Sequence, residues 1–65
     1  MYILRRYLPS FGMDLVWDGK KVMACRMHGR QSYLIEEHKA TTLATATEIM
    51  RDLEASYHKA CVAMA

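Results

Sequence analysis

Cys25 and His28 stand three positions apart, the spacing of half a zinc site. A structural zinc takes four ligands, usually as two such pairs. The remaining donors, His38, His58 and Cys61, form no second pair at ligand spacing. A cysteine nucleophile would need Cys25 or Cys61 beside a histidine and an orienting third group. Cys61 falls on the apolar flank of a helical pattern, where a thiol serves as packing. Glu36 and Glu37 are neighbours in a strand-like segment, so they point to opposite faces and cannot act as one acid/base pair. Gly12, Gly19 and Gly29 are single and far apart, which leaves no glycine-rich phosphate loop. The chemistry-bearing residues therefore predict no catalytic centre, no metal and no cofactor.

The elements that would position these residues divide the chain in two. Pro9 and all three glycines fall in the first 29 residues, and from Arg30 onward there is neither. Turn-forming residues thus crowd the front, and the back can be helical throughout. Loose alternation predicts strands over about 2–7, 13–18, 20–27 and 32–37. Asp18-Gly19 is the dipeptide favoured by a tight hairpin with two positive-φ residues. Centred there, the turn sets Trp17 opposite Lys20, Leu15 opposite Val22 and Met13 opposite Ala24. A looser turn over residues 28–31 sets Ala24 opposite Ile35 and Arg26 opposite Tyr33. One face then carries Met13, Leu15, Trp17, Val22, Ala24, Tyr33 and Ile35.

Behind the strands, Ala46, Met50, Leu53, Tyr57, Ala60 and Met64 recur at spacings of four and three, with Leu43, Ile49 and Cys61 beside them. All nine fall within about 120° of arc, a core-facing stripe on a helix over about 42–63. Thr41 or Thr42 can cap its start through a hydroxyl. Thr45 and Glu48 offer a second start at capping-box spacing. The expected fold is α+β: a three- or four-stranded antiparallel meander packed on one long C-terminal helix, as a single domain over 1–65.

The opposite sheet face breaks the usual alternation of apolar inside and polar outside. It carries Val16, Met23, Cys25, Met27 and Leu34 among Asp14, Lys21 and Glu36. One helix covers one side of a sheet, and the sequence supplies no second helix. An uncovered apolar strip is a liability unless something docks on it. Val16, Lys21, Met23, Cys25, Met27 and Leu34 are therefore the expected contacts to another protein or to a second copy in a homodimer. Met23 and Met27 suit such a surface because methionine adapts to irregular partners. A chain of 65 residues buries only about 60 % of its unfolded surface, so help from a partner is expected.

Charge offers an alternative. Residues 1–35 hold six basic side chains against two acidic ones, whereas residues 36–65 hold three against five. Arg5, Arg6, Lys20, Arg26 and Arg30, with Lys21, lie on or beside the sheet, where a nucleic-acid reader would want them. In topology this arrangement resembles the arm-type DNA-binding domains of tyrosine recombinases, which lay a three-stranded sheet in the major groove, and in part a double-stranded-RNA-binding domain. That resemblance implies a nucleic-acid partner.

Two cysteines, 36 positions apart, are too few for a secreted disulfide scaffold and read as reduced thiols. Met1 to Arg6 contains no apolar run of signal-peptide length, and no stretch approaches the ~20 apolar residues of a membrane span. The expectation is a cytoplasmic protein with no membrane partner. Size, no expected pocket and no expected metal together suggest a small regulator or inhibitor of the phage or mobile-element type, which works by occluding a surface on something larger.

Overall fold

The structure, a computed structural model, describes residues 2–64, with side chains described through residue 60. It has four strands, β1 (Leu4–Leu8), β2 (Met13–Trp17), β3 (Lys21–His28) and β4 (Gln31–Lys39), followed by helix α1 (Leu43–Met64). The strands pair in the order β1-β2-β3-β4, each antiparallel to the next. This is the expected α+β meander with one C-terminal helix. The first strand takes an edge.

Side chains alternate between faces along each strand. Met13, Leu15 and Trp17 of β2 meet Val22 and Ala24 of β3 on one face, and all five are buried. Leu8, Ala40, Ala46, Met50 and Leu53 complete that core, and Leu4, Phe11, Ile49 and Tyr57 pack around it. The helix therefore covers this face. Two edge contacts and one buried bond hold it there. Arg6 on β1 donates from Nε and NH2 to the Glu54 carboxylate at 2.6 and 2.9 Å. Tyr57 donates its hydroxyl to Glu36 of β4 at 2.6 Å. Trp17 donates its indole N–H to the Ala40 carbonyl at 2.8 Å, which fixes the approach to the helix. Of the two candidate starts, Thr42 is used: its Oγ1 accepts the Thr45 amide at 3.2 Å.

Register departs from expectation at both hairpins. In the first, Trp17 pairs with Val22, Leu15 with Ala24 and Met13 with Arg26. The turn centres on Gly19-Lys20 rather than Asp18-Gly19. Gly19 has φ +95°, whereas Asp18 stays at negative φ. Asp18 instead closes the turn from its first position, where Oδ1 accepts the amides of Lys20 and Lys21 at 2.9 and 3.0 Å. Aspartate forms such side-chain turns readily. Moving the centre by one residue moves the pairing by two, so every side chain keeps its face.

The second hairpin turns on Gly29-Arg30, and Arg26 pairs with Tyr33 as expected. Beyond it a β-bulge breaks the ladder: Cys25 pairs with Leu34 but Ala24 with Glu36, which leaves Ile35 extra. A bulge of this kind re-aims the side chains beyond it. Glu36 thus joins the helix-covered face and Glu37 the outer one, reversing the expected place of Glu36. Tyr33 and Ile35, expected in the core, are 50 % and 48 % exposed on the edge strand. Leu43 and Ala60 are also exposed rather than packed. Both lie toward the ends of the 22-residue helix, away from its buried middle at Ala46, Met50 and Leu53. Cys61 and Met64, placed on the same stripe by spacing, lie outside the described side chains.

Candidate interaction surface

The register lays out the uncovered face in rows. One row runs Arg5, Val16, Met23, Glu37, and the next runs Tyr7, Asp14, Cys25, Leu34. Met27 follows Cys25 on the same side of β3. Lys21 precedes Met23 there. The six expected contact residues thus share one face, as alternation requires.

Their exposure differs. Leu34 is 56 % exposed, and Met23, Cys25 and Met27 are half-buried. Val16 is only 3 % exposed, although no helix covers it. It stands between Arg5 and Met23, two longer side chains in its own row. Asp14 is buried likewise beneath Arg5, whose Nε lies 3.0 and 3.1 Å from its two carboxylate oxygens and whose NH2 lies at 2.8 Å. That contact raises the Arg5 guanidinium above its ordinary range. Lys21 pairs with Glu37 at 3.1 Å across the far side of the face. The result is an apolar centre between two neutralised ion pairs.

Cys25 sits in that centre. Burial, then the charge of Asp14, pushes its thiol above the usual range. A protonated thiol is a weak nucleophile. His28 stands an odd number of positions along β3, so it points to the opposite face, and the Cys25/His28 pair does not converge. Glu36 and Glu37 are also parted, as their adjacency requires. Among the described residues no group of three or more His, Cys, Asp or Glu is placed to hold a metal.

The basic residues weighed for nucleic acid do not gather on one surface. Arg5 lies on the outer face, bound to Asp14. Arg6 and Arg26 lie on the helix side, the first bound to Glu54. Lys20 and Arg30 sit in the two hairpin turns, at opposite ends of β3. Lys20, Lys21 and Lys39 do approach one another beside Asp18, Glu37 and His38, around an open hollow of about 540 Å³.

The sheet edges are the feature that sequence periodicity missed. Tyr2, Ile3, Tyr7, Tyr33, Leu34 and Ile35 are all largely exposed. All six lie on β1, β4 or the two residues leading into β1. The available signal was the run Tyr33-Leu34-Ile35, apolar on both faces, which a one-sided sheet cannot bury at its rim. Among the described residues no helix is long and apolar enough to cross a membrane. No protein-family model, curated protein or solved structure matches the chain.

Proposed function

We propose that this chain is a non-enzymatic protein-interaction module, a small regulator or inhibitor of the phage or mobile-element type that occludes a surface on a larger protein. What supports this reading is a mismatch of coverage. One helix shields one side of a four-stranded sheet, while Met23, Cys25, Met27 and Leu34 occupy the other side with no element of the described chain above them. The ion pairs Arg5–Asp14 and Lys21–Glu37 frame that strip. A partner that buries it gains apolar area without stripping an unpaired charge of water, a desolvation cost that would offset the gain.

A photo-crosslinking side chain at position 27, expressed in the source cell, tests this. The expected result is a discrete adduct to a larger protein, competed away by excess unlabelled protein. A crosslinker at Glu48, on the solvent side of the helix, is expected to give none. Equal adducts from both positions, or none from position 27, would overturn the reading. Adding duplex DNA as competitor separates the nucleic-acid alternative, in which DNA rather than protein would protect position 27.

A further inference from the structure

We infer that the two sheet edges are complementary to each other, and that a second copy of this chain docks head to tail, its β4 alongside β1. This goes beyond the outer-face reading, because the edges are a separate surface.

The first observation is topological. In a four-stranded meander, β1 and β4 run in opposite directions. A neighbour displaced sideways in the sheet plane therefore brings its β4 antiparallel to β1, with both helices on the same side. Antiparallel pairing is what the free N–H and C=O groups of an edge favour.

The second observation is charge. Two rows cross the whole sheet: Arg6, Leu15, Ala24, Glu36 on the helix side, and Arg5, Val16, Met23, Glu37 on the outer side. Each begins with an arginine at one edge and ends with a glutamate at the other. Continued into a neighbour without stagger, the rows set Arg6 beside Glu36 and Arg5 beside Glu37, one pair on each face. Opposite charges directly across a strand pair are stabilising, and like charges are not. All four side chains are substantially exposed, even with their contacts inside the fold.

The third observation is apolar area. The next rows end in Tyr7 and Leu34, and in Leu8 and Tyr33. The same unstaggered placement sets Tyr7 beside Leu34 and Leu8 beside Tyr33. Edge strands normally carry charge or bulges that repel a neighbour. Here the charges find opposite signs, and the bulge at Ile35 keeps β4 in step with the rows of β1 on both of its sides. The contact joins unlike surfaces, so it builds a ring or a filament rather than stopping at a two-fold pair.

Sedimentation equilibrium across a concentration series, at low and moderate salt, tests this. The wild type is expected to rise from 7.5 kDa past twice that mass, and to fall back as salt screens the edge charges. Glu37→Arg removes only an exposed contact to Lys21 and is expected to weaken assembly at least about tenfold, which is ~1.4 kcal/mol. Arg5→Glu is expected to do the same. An equimolar mixture of the two variants is expected to regain mass, because each supplies the edge that the other lacks. Circular dichroism confirms that each variant is folded. A wild type that stays monomeric throughout would overturn the proposal. So would a dimer that Arg5→Glu leaves intact, which would mean a contact other than β1 to β4, such as β4 pairing with itself or two outer faces stacking. Should Arg5→Glu unfold by stranding Asp14, Glu37→Arg decides alone: assembly equal to wild type would refute the inference.

Discussion

Single side chains connect the layers of this small domain. Trp17 reaches across the core to the Ala40 carbonyl. Trp17→Phe keeps most of the packing but leaves that buried acceptor without its donor. The expected loss is about 1–3 kcal/mol in unfolding free energy, read from urea titration; an unchanged midpoint would show that water reaches the carbonyl. Glu36 is the second such point. Hydrogen bonds from Tyr57, then His38, hold its carboxyl below its ordinary value of 4.5. Asp18 and Glu54 are lowered too, by the amides of Lys20 and Lys21 and by Arg6 respectively. A carboxyl depressed in the folded state contributes stability above its unfolded pKa and loses that contribution as pH falls through the lower folded one. Stability is therefore expected to decline below about pH 4.5, where Glu36 first binds protons in the unfolded chain. Glu36→Gln should make that acid limb shallower. An identical slope would show that Glu36 contributes nothing to it. Tyr57 moves the other way: burial and the Glu36 charge push its hydroxyl well above its usual range, so it remains the donor.

At the scale of elements, the helix depends on its cap and its stripe. Thr42→Ala removes the hydroxyl that accepts the Thr45 amide and should cost about 1 kcal/mol. Leu53→Ala opens the buried middle of the stripe and should cost about 2–5 kcal/mol. Chemical denaturation of both variants checks the order of the two effects; a cap loss exceeding the core loss would contradict the packing described. The helix and its face were legible because periodicity reports burial directly, whereas the strand count stayed open between three and four until the sheet showed four. The first hairpin was legible in face but not in pairing. Asp18-Gly19 marks a turn, yet only the competition between Asp18's side chain and a positive φ decides which two residues sit at its centre. The bulge at Ile35 carried no sequence mark, since no glycine or proline stands in β4 to announce it. Through it Ile35 left the predicted core and Glu36 changed sides, whereas Tyr33 kept its expected pairing with Arg26 and is exposed because β4 is an edge strand.

For the whole molecule, what matters is how much apolar surface its own chain leaves bare. Alternation identified the outer strip, and the structure keeps its six residues together on one face. It did not identify Val16 as covered, because that depends on how far Arg5 and Met23 extend. Nor did it weigh the edges, because a strand's rank in the sheet is set by topology rather than by its own residues. The basic residues share the front of the chain but divide between two faces and two turns. The distribution of charge along the sequence therefore overstated its concentration in space.

The central claim is that the outer face is surface held for a partner and not core. Met27→Glu tests it most directly, by thermal unfolding run beside pull-down of the partner that the position-27 crosslink identifies. The expected result is a loss of stability of no more than about 1 kcal/mol, the ordinary size for a point substitution and well short of a core loss, together with loss of capture. A variant that unfolds outright, or one that captures the partner as well as wild type, would contradict it.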